Sequence, residues 1–300
     1  MGSSQFGRGL SADERAALAR LVASPVFELI PLDRAREAAA ALPSGASVTV
    51  TVSVRLGLDA TLGLAEWLSS RGHDVAPHLA ARMIRDRAHL ADVLERMRIA
   101  GIGKVFVVGG DGAPTGELTD GLALIRAIRS ADHAFDEIGV PAYPEGHVKI
   151  PSEVLLRDLQ DKQPCVHLMT TQMSFNPGAV ADWIEHVRGE AVTLPVHLGI
   201  PGAVEMRKLM NIATRIGVAD STRYLLKHRS LLGHLVQGGS FGPDVFLRDL
   251  APTLAHPRAD VRALHVFTMN QVEATLVWQR RMLEELSESP GSDTQMDTRE

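Results

Sequence analysis

The segment Arg87-Ala88-His89-Leu90-Ala91-Asp92-Val93-Leu94-Glu95-Arg96-Met97-Arg98-Ile99-Ala100-Gly101, followed after two residues by Lys104-Val105-Phe106-Val107-Val108-Gly109-Gly110-Asp111, decides the fold. It reads as a helix stopped by Gly101, then a short apolar strand, then a glycine loop carrying a carboxylate. The same order recurs along the chain. Further apolar runs stand at Val26 to Ile30, Val48 to Val54, Val75 to Pro77, Gly139 to Tyr143, Cys165 to Thr171, Leu194 to Ile200 and Ala263 to Thr268. Helical patterns lie between them at Thr61 to Ser70, Leu118 to Arg129, Ser152 to Asp161 and Gly178 to Val187. Strands apolar on both faces belong to a parallel sheet covered by helices. Eight such units predict a closed (β/α)8 barrel, an α/β TIM barrel, ahead of an open doubly wound sheet.

Size and composition agree. A chain of 300 residues is long for an ordinary domain but suits one α/β barrel. Hydrophobic residues make up 45% and aromatics only 4%, so an aliphatic core is available. Ser11-Ala12-Asp13-Glu14 reads as a capping box that opens an extra N-terminal helix. The stretch from Gly202 to about Leu254 is too long for one helix and predicts extra helices before the last strand. The predicted organisation is a flexible N-terminus over 1–10, a barrel over 11–286 and a disordered tail over 287–300.

The formal charge of −5 excludes a surface that tracks nucleic-acid phosphates, leaving small molecules as the expected partners. Cys165 is the single cysteine, so no intrachain disulfide can form and a reducing, cytoplasmic setting is expected. No apolar run reaches the roughly 20 residues that a bilayer span needs, so no membrane partner is expected.

In a barrel the chemistry sits where strands end. Polar groups stand at six of the predicted ends: Glu28, Ser53, His78, Asp111, Tyr143 with His147, and Gln172. Each also has a structural reading. Asp111 after two glycines suits a turn, the histidines suit satisfied structural positions, and Gln172 and Tyr143 suit sheet-end hydrogen bonds. Met83, Met97, Met206 and Met210 suit helix packing. Glu28 inside an apolar strand must be paired, protonated or working. There is no HExxH and no paired cysteine ligands, so no metal is expected. A nucleophile elbow and a P-loop are absent too, and Gly109-Gly110-Asp111-Gly112 misses the Rossmann spacing.

In their order, these segments resemble the methylenetetrahydrofolate reductase family from about Pro25 to Trp278. They are Phe27-Glu28-Leu29-Ile30-Pro31, Ala76-Pro77-His78-Leu79, Gly109-Gly110-Asp111, Ala142-Tyr143-Pro144-Glu145-Gly146-His147, Thr171-Gln172-Met173-Ser174-Phe175 and His265-Val266-Phe267-Thr268-Met269-Asn270. The resemblance implies reduction of 5,10-methylenetetrahydrofolate to 5-methyltetrahydrofolate, with NADH or NADPH as hydride source and FAD as the usual intermediary. It implies Glu28 as the general acid, Asp111 and Gln172 as contacts to folate and the redox partner, and Phe175 with Met173 as apolar surface for flat rings. It places Ser53, His78, Gly110, Tyr143, His147 and Lys162 on the cofactor side. Gly109 stands where the family has arginine, and Lys162 matches a phosphate-binding lysine only across a gap. These departures favour direct hydride transfer over the FAD-dependent route. A non-catalytic folate-binding paralogue stays open, as does a homo-oligomer. A lyase or aldolase barrel is disfavoured because only Lys104 and Lys162 lie near a strand.

Overall fold

The computed structural model describes residues 6–7, 9–131, 135–205, 240–241 and 243–288. Eight parallel strands close into a barrel: β1 (Val26–Leu29), β2 (Ser47–Val50), β3 (Asp74–Ala80), β4 (Lys104–Val108), β5 (Glu137–Ala142), β6 (Leu168–Thr171), β7 (Val196–Pro201) and β10 (Val261–Phe267). Each strand pairs with its predecessor in this order, and β10 returns to pair with β1, Val26 opposite His265 and Glu28 opposite Phe267. The (β/α)8 expectation therefore holds and the open-sheet alternative does not. A short antiparallel pair, β8 (Val204–Glu205) with β9 (Ser240–Phe241), stands apart from the barrel.

Helices α1 (Ala12–Ala23), α2 (Ala35–Ala39), α3 (Gly57–Ser69), α4 (Arg87–Ile99), α5 (Gly121–Arg129), α6 (Ser152–Lys162), α7 (Pro177–Gly189), α8 (Asp244–Ala255) and α9 (Val272–Ser287) accompany the strands. The expected capping box is present: the Glu14 amide donates to Ser11 Oγ, and the Ser11 amide to Glu14 Oε2. Asp86, Asp120 and Asn176 accept amide bonds at the starts of α4, α5 and α7. Gly101 ends α4 with φ +68°, the left-handed geometry that lets glycine stop a helix.

Several boundaries move for physical reasons. β2 stops at Val50, because Ser53 begins the turn into α3 by accepting the Leu56 amide. β6 starts at Leu168, since Gln163–Cys165 form a 3₁₀ turn around Pro164. β3 extends to Ala80, so His78 lies within the strand and not after it. Ser287 closes α9, whereas the rest of the predicted tail, 289–300, lies outside the described residues. So do 1–5, Met206, Met210 and most of the region before β10 where extra helices were expected; α8 is described there. Phe6 is buried in the core, and Gly7 O accepts from Arg15.

Alternation along the strands sorts the core into two parts. Phe27 and Leu29, Val48 and Val50, Val105 and Val107, and Leu264 and Val266 are buried in the main hydrophobic core with helix residues such as Leu62, Leu94, Leu124, Leu247 and Met282. Burial of each such side chain contributes about 1.5–3 kcal/mol. The other set of positions faces the barrel interior and is unusually polar: Glu28, Thr49, His78, Thr170 and His265 are all buried. Gly139 and Gly199 leave room there, because an added Cβ would lie 2.8 Å from the rings of Phe106 and Phe267 respectively.

Candidate active site

Glu28 is set by β1 alternation into the interior, where side chains from strands that are not its neighbours can reach it. Its Oε2 is 3.2 Å from His265 Nε2 on β10 and 4.0 Å from His78 Nε2 on β3, two strands away. The first is a hydrogen bond and the second is too long for one. Burial is the main cause that pushes His78 down to about 4; the Glu28 charge opposes this and His265 reinforces it. His78 is therefore neutral at pH 7, and its ring lies 4.6 Å from that of Phe106. The carboxyl group thus lies among imidazoles and, among the described residues, has no ion pair to lysine or arginine.

The seam between β10 and β1 fixes the backbone that carries this acid. Thr268 Oγ1 donates to Glu28 O at 2.6 Å. Asn270 grips the next residue twice, accepting the Ile30 amide at 2.9 Å and donating to Ile30 O at 2.8 Å. To do so, Met269 and Asn270 adopt φ +51° and +59°. Two consecutive non-glycine residues in the left-handed region cost about 1–2 kcal/mol each, and the surrounding bonds must offset this.

The loop after β4 holds Gly110 and Asp111. Gly110 has φ +89°, and a Cβ there would lie 2.8 Å from Ala80 Cβ, so only glycine lets this loop approach the end of β3. Arg82 fastens the loop: its amide donates to Gly109 O, its Nε to Thr119 O and its Nη1 to Gly112 O. Asp111 is exposed on the rim.

On the far side, Tyr143 is pushed up first by burial and then by the charges of Asp158 and Asp111, so it remains a phenol. Its ring meets that of His147 edge-on at 5.1 Å, and His147 Nδ1 accepts the Lys149 amide. Gln172 is half-buried, and its amide donates to Ala142 O. Ser174 Oγ donates to Glu145, tying the loops after β5 and β6 together. Phe175 is 2% exposed and Met173 is buried as well, so neither presents an open face to a ring in this arrangement. Lys162 is buried and paired with Asp158, beside the start of α5 at Gly121. Ser53 is exposed at the start of its turn.

The structure therefore joins Glu28 and His78 and brings the Asp111 charge to bear on Tyr143. Glu28, Asp111 and Gln172 share the C-terminal end of the barrel, with no hydrogen bond or ion pair among them. The sequence reading assigned no role to His265, Thr268, Asn270 or Arg82. The first three lie in a quoted motif, and the signal was a histidine interrupting an apolar strand. Arg82 acts on carbonyls about 30 residues downstream and leaves no local trace. Among the described residues no group of three or more His, Cys, Asp or Glu could hold a metal ion, and no helix is long and apolar enough to cross a membrane.

A closed parallel barrel with a buried carboxyl group towards the C-terminal end of its first strand defines a (β/α)8-barrel protein whose candidate site lies at that end. The chain matches the family described as methylenetetrahydrofolate reductase over residues 29–281, and it belongs to that family. That membership makes it an oxidoreductase of folate one-carbon chemistry. Among solved structures it is similar to orotidine 5'-monophosphate decarboxylase from Sulfolobus solfataricus, with 12% identity, TM-score 0.42, and coverage of 88% of this chain and 99% of that one. It is also similar to 2,3-dimethylmalate lyase, a PEP mutase/isocitrate lyase superfamily member, with 12% identity, TM-score 0.46, and coverage of 96% and 93%. Neither likeness informs the chemistry of this chain.

Proposed function

We propose that this protein reduces 5,10-methylenetetrahydrofolate to 5-methyltetrahydrofolate with hydride taken directly from NADH or NADPH, without FAD, and that Glu28 is the proton donor. The observation that carries the reading is the Glu28 carboxyl, buried and hydrogen-bonded to an imidazole, with no lysine or arginine paired to it among the described residues. A buried carboxyl beside an imidazole near the end of a barrel strand is placed to hand a proton to a bound ligand, as a general acid must.

The reduced nicotinamide would supply the hydride. Glu28 protonates the amine nitrogen that leaves as the folate ring opens, and the iminium carbon accepts the hydride to become the methyl group. Thr268 and Asn270 hold the Glu28 backbone while this happens. Tyr143, kept as a phenol, and Gln172 offer hydrogen bonds at the rim for the flat polar rings, and Asp111 offers an acceptor for a pterin amine. The exposed Leu32, Val54, Val148 and Ile150, on loops after β1, β2 and β5, supply apolar surface around the mouth. Ser53, His78, Gly110 and His147 remain on the proposed nicotinamide side.

Two features favour the FAD-free route. Lys162, the cation expected near a cofactor phosphate, is committed to Asp158, and Gly109 carries no side chain. An FAD pyrophosphate would lose two charge-assisted partners, each worth about 1.5–3 kcal/mol. The purified protein should be colourless and should oxidise reduced nicotinamide only when methylenetetrahydrofolate is added. A stoichiometric flavin absorbance would overturn the direct route, and folate binding without turnover would favour the non-catalytic paralogue.

A further inference from the structure

The barrel interior below Glu28 is hollow, although barrels of this type are normally filled by layers of branched apolar side chains. A cavity of about 190 Å³ is lined by Thr49, Ala76, Thr170 and His265 and, at the strand starts, by Asp74, Lys104 and Glu137. These last three are the first residues of β3, β4 and β5 and are partly exposed, so the cavity reaches solvent at the N-terminal end of the barrel. Val26, Phe106 and Leu168 share its walls with these polar groups, and its volume suits several water molecules.

His265 stands between this cavity and the acid. It is 1% exposed and borders the cavity, and its Nε2 meets Glu28 while its Nδ1 has no partner among the described residues. The Thr49 hydroxyl on the cavity wall is also without a partner. Buried polar atoms left unpaired cost about 1–3 kcal/mol each, a cost that water in the cavity would relieve. The Glu28 contact works in both directions: Nε2–H donates to the ionised carboxylate, and the protonated carboxyl donates to Nε2.

We propose that protons reach Glu28 through the N-terminal end of the barrel, by way of cavity water and His265, and not through the mouth. This deepens the reductase reading and rests on it. Each turnover converts methylenetetrahydrofolate, one hydride and one proton into methyltetrahydrofolate. The hydride comes from the nicotinamide and the proton from Glu28, which is left ionised while both ligands cover the mouth. His265 then passes its Nε2 proton to Glu28 and takes one at Nδ1 from cavity water, so the solvent proton balances the reaction, and a turn of the ring brings the N–H back to face Glu28 before the next turnover. The ionisable groups around this path are Glu28 and His78 above the ring, His197 beside it on β7, and Asp74, Lys104, Glu137 and Arg262 at the open end. Burial chiefly, helped by His265, Lys104 and Arg262, pushes His197 down to about 4, so it brings no charge to the path at neutral pH.

His265 is thus a positioning residue that acts through Glu28. His265→Gln keeps an N–H for the carboxylate but cannot carry a proton across its side chain. At pH 7.5 its kcat should fall at least tenfold with the folate KM within twofold. The solvent deuterium isotope effect on kcat should rise, and added imidazole should restore part of the rate. Ala76→Leu, which adds bulk at the cavity wall, should shift kcat and the isotope effect in the same direction. A kcat within twofold of the parent in both variants overturns the proposal. So does a fall that leaves the isotope effect unchanged and does not respond to imidazole. A substrate-free measurement separates the two readings: in ¹⁵N-histidine-labelled protein, solvent exchange of the His265 ring proton should slow at least tenfold in Ala76→Leu. If that contrast holds while the parent fails to reduce methylenetetrahydrofolate, the reductase reading falls and the conduit stands. If the parent turns over and the contrast is absent, the conduit alone falls.

Discussion

The two ends of the barrel interior handle charge in opposite ways. At the N-terminal end, Lys104 Nζ lies 2.7 Å from Asp74 Oδ2 and 3.9 Å from Glu137 Oε1, with all three side chains partly in water. At the C-terminal end Glu28 is buried and surrounded by imidazoles. A solvated ion cluster contributes little energy. The buried carboxyl depends instead on one hydrogen-bond partner, an imidazole nitrogen that can donate to it or accept from it. One end pairs its charges in water, and the other keeps its acid out of water beside an imidazole.

The sharpest way to break this comparison is to neutralise one acid at each end. Glu28→Gln should lower turnover by about 10²–10⁴-fold, the usual contribution of a general acid, while folate titrations show affinity within threefold of the parent. Glu137→Gln should leave turnover within twofold. Similar losses in the two variants would mean that the ends do not differ as described.

Acid sensitivity comes next. His78 and His197 titrate near 6.5 when unfolded and are each pushed down to about 4 in the fold, chiefly by burial. Between those values the unfolded chain binds more protons, so stability is full above about pH 6.5 and is lost as the pH falls towards 4. The loss is on the order of 3 kcal/mol for each histidine. Urea denaturation from pH 7 to 4.5 should show it, and His197→Gln should reduce the slope by about one proton. A parent stability that stays flat over this range would rule out two neutral buried imidazoles.

Smaller effects are expected at the rim and at the open end. Gly110→Ala combines a left-handed backbone with a collision against Ala80 and should cost about 1–3 kcal/mol in thermal or urea unfolding. Lys104→Met removes a partly exposed ion pair and should change stability by no more than about 1 kcal/mol. A larger loss would show that the N-terminal cluster is less solvated than its exposure indicates.

Much of the barrel was legible in the sequence. Lys104–Val108 was read with its observed bounds, and the Ser11 box and the Gly101 stop were found where expected, since local spacing and backbone preference set them. Cys165–Val166 could not be told from strand, because a short apolar run does not show where pairing begins. Glu28 stood out as a polar residue in an apolar run. Its surroundings did not, because His78 and His265 lie 50 and 237 positions away in the chain and meet it only across the closed barrel.

The alternation of apolar runs and helices, and the presence of one acid in the first strand, were determined by the sequence itself, because periodicity and local composition need no distant partner. Tertiary structure alone decided that this acid is hydrogen-bonded to one imidazole with a second nearby, that its backbone is gripped by Thr268 and Asn270, and that a cavity lies beneath it. The physical reason is barrel closure. It joins the first strand to the last and brings inward-facing side chains from separate strands into one enclosed space, where spacing along the chain no longer governs which groups meet.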